Sequence, residues 1–336
     1  MLSTAESVTA VTVATRARAA RGRDWMPDVT RRLMLLDSAS MYFRAFYGVP
    51  DIAAPDGTPV NAVRGLLDFI ARLVEQYSPT DLVCCWDNDW RPQWRVDLIP
   101  SYKAHRVVTE NAVGPDVEEV PDPLQIQVPI IVDVLEAFGI ALRGADGYEA
   151  DDVIGALATG AGMPVDVVTG DRDLFQLVDD EAGVRVLYIA RGVGNHERVD
   201  DAWVHAKYAV HAAQYADFAT MRGDASDGLP GVPGVGEKTA AGLLGRFGDL
   251  PGIVAAAADP SSGMAPGPRA KIRAASDYLA VAPKVVEVAR DLPIDRDGTA
   301  LPQVPAHPER LTELAERFNL AGPAARVTTA LAGLSR

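Results

Sequence analysis

Cysteine, histidine and long apolar runs are all scarce in this chain, and each scarcity closes a class of function. The two cysteines among 336 residues, Cys84 and Cys85, stand side by side in LVCCW. Neighbours on a strand point to opposite faces, so a disulfide between them is disfavoured and a stapled secreted fold is excluded. The five histidines are scattered, which leaves no zinc site of His/Cys spacing. No apolar stretch approaches the roughly 20 residues of a membrane span, so the expectation is a protein of the reducing cytoplasm with no membrane partner. Net positive charge is lacking too: 46 acids against 32 Lys and Arg give −14, which at first sight argues against nucleic acid. Net charge is a poor guide, however, when acids gather at one site and bases elsewhere.

What is present is an ordinary globular composition in a chain long enough for a large core or a core plus a smaller lobe. Residues 1–32 carry arginines without periodicity and read as a disordered basic arm, or as sequence upstream of a start at Met26. LMLLD (33–37) and DLVCCWD (81–87) read as buried strands flanking a helix with apolar residues at helical spacing over 61–77. Strand, helix, strand implies a parallel sheet. From 88 to 123 the chain is polar and proline-bearing, too long for a plain connector. IQVPIIVDVLEAFGI reads as a helix leading into a short strand, DDVIGALATG as a helix and PVDVVTGD as a third strand. The predicted organisation is an α/β core over 33–198 including the 88–123 excursion, a mostly helical region over 199–320, and a tail over 321–336. HAAQYADFATM is expected to be helical, GLPGVPGVGEKTAAGLLGRFG a glycine-rich turn opening a helix, and 255–270 a loop.

The chemistry is carried by acids. Asp37, Asp87, Glu149, Asp151, Asp152, Asp171, Asp173, Asp224 and Asp227 come from five segments, each at a strand end, helix start or turn. Two carboxylates about 4 Å apart repel by roughly 4 kcal/mol at an effective dielectric near 20, so several such pairs would rival a whole folding free energy of about 5–15 kcal/mol. Either the acids lie far apart or cations hold them together. Hard oxygen donors without His or Cys suit Mg²⁺ or Mn²⁺. Nine acids exceed one octahedral ion, and a pair of ions suits phosphodiester cleavage. The plainer reading of any single Asp here is a helix cap, and Asp152 and Asp173 are the best candidates for caps or outer positions.

LLDSASMYFRAFYGVP, WDNDWRPQWRVDLIPSYKAHR, GYEADDVIGALA, VVTGDRDLFQLV and MRGDASDGLPGVPGVGEKTA follow in this order. As a set they closely resemble the bacterial 5′ nuclease family, which includes the N-terminal nuclease domain of DNA polymerase I and stand-alone flap endonucleases. The likeness runs from about Leu33 to about Leu320. It implies an α/β fold with a central, mostly parallel sheet flanked by helices (PIN-like, resolvase-like), a helical arch at about 88–123 and a helix-hairpin DNA-binding subdomain. It also implies two Mg²⁺ or Mn²⁺ ions, one held by Asp37, Asp87, Glu149, Asp151 and Asp152, the other by Asp171, Asp173, Asp224 and Asp227. The implied activity is cleavage of DNA with 5′ flaps, nicks or 5′ ends, in replication and repair, by a cytoplasmic, nucleoid-associated monomer; RNA in hybrid duplexes stays open as a substrate.

Lys103 and Arg106 lie three apart, on one face if their segment is helical, where they could neutralise the scissile phosphate; the resemblance gives them that catalytic role. Tyr102 could stack on an unpaired base, and Arg95 matches another basic, DNA-binding position. In GVPGVGEKTA, Gly234 and Gly236 form the turn, and Lys238 and Thr239 stand where a helix N-terminus favours phosphate. Family hairpins of this kind hold a K⁺ ion through backbone carbonyls, which 231–236 could supply. NDWR (88–91) and the acidic ENAVGPDVEEVPD depart from the family pattern and bear on how a free 5′ strand is gripped. The rivals are a non-catalytic junction binder and a PIN-type ribonuclease, whose usual short chain lacks the clamp and the arch.

Overall fold

Strand β1 (Leu33–Asp37) is wholly buried, and every other strand of the main sheet is placed relative to it. The structure, a computed structural model, describes residues 31–111 and 114–334. The predicted arm lies outside these except for Arg31 and Arg32, which are anchored on Asp81 (2.9 Å) and Asp166 (3.0 Å). The chain from Arg31 onward is one compact unit. After β1 come β2 (Asp81–Trp86), a small hairpin of β3 (Val107–Thr109) and β4 (Val117–Glu118), then β5 (Ala141–Gly144), β6 (Val165–Thr169), β7 (Val184–Tyr188) and β8 (Glu197–Val199). The main sheet has the order β5-β2-β1-β6-β7-β8, parallel except for β8. Sequence patterning anticipated β1, β2, β5 and β6; β7 and β8 went unread.

The helices over the first half are α1 (Ser38–Gly48), α2 (Asn61–Tyr77), α3 (Gln93–Leu98), α4 (Asp122–Gln125), α5 (Gln127–Phe138) and α6 (Ala150–Ala158). The second half holds α7 (Asp201–Tyr208), α8 (Tyr215–Arg222), α9 (Glu237–Phe247), α10 (Leu250–Ala258), α11 (Pro266–Ala274), α12 (Ser276–Val286), α13 (Pro308–Arg317) and α14 (Ala321–Ala332). Because side chains alternate along a strand, β1 sends Met34 and Leu36 into one core and Leu35 into the other, and β2 divides Cys84 from Cys85 in the same way. Both cysteines are free and buried. The Met34 side is covered by α2, α5, α13 and α14, the Leu35 side by α6 and the helices α8 to α12. Among the described residues no helix is long and apolar enough to cross a membrane.

Three expectations need correction. The stretch 88–123 is helical only in part: α3 and a short helical turn give way to the β3–β4 hairpin, where β-branched residues at 107–109 and 117 favour strand. The hairpin is fastened to NDWR by Trp90 Nε1 donating to the Asp116 carbonyl (2.7 Å) and by the buried Arg91–Asp116 ion pair (2.6 Å). The loop expected at 255–270 is confined to 259–265, since alanines extend α10 to Ala258 and Pro266 starts α11, both in keeping with alanine's helix propensity and proline's place in a first helical turn. Residues 321–332, set apart as a tail, form α14 packed on α2, with Val327 and Leu331 fully buried.

Candidate active site

Chain order runs from β1 outward through β2 and β5, then restarts on the other side of β1 with β6 and β7. The crevice at the carboxyl ends of β1 and β6 is therefore a topological switch point, where ligands bind in open α/β sheets. Asp37 ends β1 and caps α1, accepting from the Ser40 amide (3.0 Å); Thr169, the last residue of β6, donates its hydroxyl across the crevice to Asp37 (2.7 Å) and accepts from the Asp171 amide (2.9 Å). Asp87 follows β2 and accepts from the Ala150 amide at the start of α6 (2.8 Å). The first turn of α6 presents Asp151 where exposed N–H groups and the helix dipole favour negative charge.

Asp37, Asp87, Glu149, Asp151 and Asp171 line one cleft of about 380 Å³ together with Lys103 and Arg106. Asp173, Asp224 and Asp227 form a neighbouring group that Asp171 joins to the first. Burial pushes the Asp37 carboxyl up to about 7, assisted by the charges of Asp87 and Asp171 against the Thr169 bond. Burial likewise raises Asp87, and holds Asp151 and Asp173 well above the carboxylate range with help from neighbouring acids. Asp227 is raised by burial despite the opposing charges of Lys103 and Arg106. Asp224 goes the other way: burial opposes its charge, but bonds from Ser226 and the guanidinium groups of Arg172 (3.2 Å) and Arg222 (3.3 Å) prevail.

These carboxylates suit a hard divalent cation by donor type. Asp173 Oδ1 is a buried oxygen with no hydrogen-bond partner among the described residues, and the Asp151 carboxylate accepts no hydrogen bond there while facing Asp37, Asp171 and Glu149. Among the described residues no three carboxylates converge closely enough to coordinate one ion as the side chains stand.

The structure corrects three residue assignments. Asp152, expected among the metal ligands, is fully buried and has every acceptor position taken: Oδ1 by Arg95 (2.7 Å) and the Ala289 amide (2.8 Å), Oδ2 by Arg95 (2.7 Å) and the Glu149 amide (3.2 Å). Arg95, expected on DNA, is 3% exposed and bonds Asp152, Glu149 and the carbonyls of Val285 and Glu287. Tyr102, expected to stack on a base, has a buried ring and donates its hydroxyl to Glu149 (2.6 Å). Arg95 and Tyr102 are buried, so neither presents a surface to DNA from where it stands.

Lys103 and Arg106 do face the cleft, though not from an α-helix. Lys103 adopts a left-handed backbone (φ 48°) ahead of a short turn at 104–106, a costly conformation for a long side chain. Its ammonium pairs with Glu149. Burial works against that ammonium, and the charge of Glu149 outweighs it. Arg106 bonds Asp227 (2.9 Å) and the Ser226 carbonyl (2.6 Å). The Lys103 amide donates to the Asp227 carbonyl (2.9 Å) and the Ser101 hydroxyl to the Gly228 carbonyl (2.7 Å), so the basic turn is docked on the backbone of the 224–228 turn. Gly228 makes that approach feasible: its φ is +69°, and a Cβ there would lie 2.0 Å from the Ser101 carbonyl oxygen. Gly228→Ala is therefore expected to push the two turns apart and slow single-turnover cleavage by about 10²-fold, the effect of an ångström-scale misplacement. A folded variant cleaving at the wild-type rate would show that the docking is immaterial.

Glu118 of β4, unremarked in the sequence, also lines the cleft, with its carboxyl raised by burial; only the β3–β4 register, Val107 opposite Glu118, turns it inward. At the hairpin preceding α9, Lys238 is exposed and Thr239 half-buried, Gly234 has φ +74°, and Gly236 caps the helix through its backbone. Three of the carbonyls of 231–236 already accept hydrogen bonds. Gly234's accepts from Lys271 Nζ (2.6 Å), Val232's from the Val235 amide and Gly236's from the Thr239 and Ala240 amides. An ammonium already stands on the turn.

Comparison with known proteins agrees with this geometry. Residues 32–209 match the 5'-3' exonuclease, N-terminal resolvase-like domain, and residues 210–309 the 5'-3' exonuclease, C-terminal SAM fold. The chain is 61% identical over 299 residues to a 5'-3' exonuclease of Streptomyces coelicolor, covering 89% of this chain and 99% of that one. It is 55% identical over 309 residues to a 5'-3' exonuclease of Mycobacterium tuberculosis, covering 89% and 97%. In fold it resembles the bacteriophage T5 flap endonuclease solved as a pseudo-enzyme–product complex with DNA and metal ions (TM-score 0.59, 16% identity, 90% of this chain and 99% of that one). The resemblance read from the motifs thus holds across both halves, and the chain belongs to the 5'-3' exonuclease family.

Proposed function

We infer that this protein is a divalent-metal-dependent 5′ nuclease that acts on flapped, nicked or 5′-ended DNA by a two-metal mechanism. The observation that carries the reading is the convergence of acids from three strand ends and a helix start with Lys103 and Arg106 in one cleft. Asp37, Asp87, Glu149 and Asp151 are the candidate holders of one ion; Asp171, Asp173 and Asp227 serve the second, with Asp224, whose oxygens are taken by Ser226, Arg172 and Arg222, behind them. Bound Mg²⁺ or Mn²⁺ would supply Lewis-acid activation of water and stabilisation of the leaving oxygen. The chain's own residues do the rest. Lys103 and Arg106 offset charge building on the reacting phosphate, while Thr169 and the Ser40 amide fix the orientation of Asp37. The α9 N-terminus with Lys238 and Thr239 holds duplex phosphate without reading sequence.

The test is a 5′-flap duplex labelled at either end and incubated with Mg²⁺, Mn²⁺ or chelator. Incision near the junction that requires metal and weakens with salt is the expected result. DNA that is bound yet intact in both metals would make the protein a junction binder instead.

A further inference from the structure

The segment 285–290 leaves α12 and crosses behind the cleft, and side chains from the catalytic side grip its backbone almost residue by residue. Arg95 Nε donates to the Val285 carbonyl (3.1 Å) and Arg95 Nη2 to that of Glu287 (3.4 Å). Gln176 Nε2 donates to the Val286 carbonyl (3.1 Å), and its Oε1 accepts from the Val288 amide (3.1 Å). The Ala289 amide donates to Asp152 (2.8 Å), and Arg290 donates to the Gln176 carbonyl (2.7 Å). On the outer side an open cavity of about 840 Å³ is lined by Glu287, Val288, Ala289 and Arg290, while Val285, Val286 and Val288 are buried in the apolar core, so packing and these bonds together seat the strap. On the inner side it is close-fitting: a Cβ on Gly155 of α6 would lie 2.5 Å from the Ala289 carbonyl oxygen.

The same side chains continue into the cleft. Arg95 carries on from the strap to Glu149 (3.2 Å) and locks the first turn of α6 through Asp152. Gln176 Nε2 also donates to the carbonyl of Asp173 (2.8 Å), in the turn whose amide is held by Asp171 (2.8 Å). One backbone strap therefore stands behind both groups of acids, and α12, from which it emerges, packs against α3, α8 and α11.

We propose that Arg95 and Gln176 are positioning residues that fix the Glu149/Asp151 group and the Asp171/Asp173 turn to a common strap, so that the cleft's affinity for cations depends on how 285–290 is seated. The proposal rests on the metal-dependent reading of the site above. Supporting residues of this kind change metal affinity or activity by about 10–100-fold elsewhere. A lysine cannot reproduce a guanidinium that bonds two carboxylates and two carbonyls at once.

The experiment takes the full chain as Arg95→Lys, Gln176→Leu and the double variant. It measures the Mg²⁺ midpoint from metal-induced thermal shift without DNA, together with duplex affinity and the single-turnover rate. Each single variant is expected to raise the Mg²⁺ midpoint about tenfold and to keep duplex affinity within about twofold. The double variant should be less than multiplicatively worse, because both anchors act on one strap. Folded variants with an unchanged midpoint, a loss confined to DNA affinity, or fully multiplicative effects would each overturn the proposal. Should Arg95→Lys fail to fold, Gln176→Leu decides alone on its midpoint and duplex affinity. A wild-type protein indifferent to Mg²⁺ and Mn²⁺ in both thermal shift and cleavage would instead remove the nuclease reading.

Discussion

Asp37→Asn is expected to lower single-turnover cleavage by at least about 10³-fold while making the metal-free protein more stable at pH 8. The first effect follows from replacing a charged donor at the switch-point crevice with a neutral amide, where charge stabilisation of several kcal/mol is at stake and each 1.36 kcal/mol is a factor of ten in rate. DNA affinity should change only a few-fold, because Lys238, Thr239 and the α9 N-terminus lie outside the cleft lining. The second effect has a definite sign. Asp37 titrates at about 7 in the fold against 3.8 as a free side chain, so the folded state holds more protons than the unfolded one between those values. Stability from this group is then lost as pH rises through that window. Asparagine carries no charge to bury and can still cap α1 by accepting from the Ser40 amide. Melting in chelator from pH 5 to 8 should show wild type weakening and the variant weakening less, by a few degrees at pH 8, at roughly 2–4 °C per kcal/mol for a chain somewhat shorter than this. A variant cleaving within tenfold of wild type would remove Asp37 from the chemistry; one less stable than wild type at pH 8 would contradict the charge argument.

The acids of this site were legible in the sequence for a local reason. Asp37, Asp87 and Asp171 close apolar strands, and an apolar run ending abruptly in a carboxylate is a pattern that one strand's burial produces without knowledge of its neighbours. The helix over 61–77 was legible for the same local reason. β7 and β8 were not: VRVLY becomes a strand because it pairs with β6 in register, and only three residues of β8 pair back onto it. α1 went unread although its N-cap is Asp37 itself, because one residue serves as strand end, helix cap and site acid and so does not mark where the strand gives way to a helix.

The misread residues share a different cause. Arg95 and Tyr102 are charged or polar-tipped groups in a stretch rich in arginine and proline, which locally looks like solvent-facing loop. Their burial depends on the far-off strap at 285–289 and on Glu149, contacts across 190 and 47 residues that no local pattern encodes. The resemblance placed Asp152 with the ligands while its position at a helix start favoured a cap or outer place, and it is the cap that the structure shows: its side chain accepts from the Glu149 amide, with Arg95 and the Ala289 amide on it as well. The nearby Lys103 lines the cleft for a reason the sequence did not contain. It gets there through a left-handed backbone and the Gly228 approach, not through helical spacing.

Lys103→Met tests that last placement most severely. Methionine keeps much of the stem's volume and removes the ammonium that pairs with Glu149. Loss of one charge-stabilising donor in such a site costs about 10²–10³-fold in rate, and that is the expected fall in single-turnover cleavage at saturating Mg²⁺. Breaking a buried pair also leaves its partner uncompensated, at about 3–5 kcal/mol where nothing else is near; here Tyr102 and Arg95 still hold one oxygen of Glu149, so the loss should fall below that range. The two effects separate by metal. If Glu149 holds a cation, Mg²⁺ offsets the missing ammonium and recovers most of the lost melting temperature, while the rate stays low because nothing replaces Nζ beside the phosphate. Lys103→Arg should recover stability more than rate, since a planar fork does not put a point charge where the ammonium sits. Equal recovery of rate and stability in Mg²⁺ would show that Lys103 only balances Glu149, and the role at the phosphate would pass to Arg106 alone.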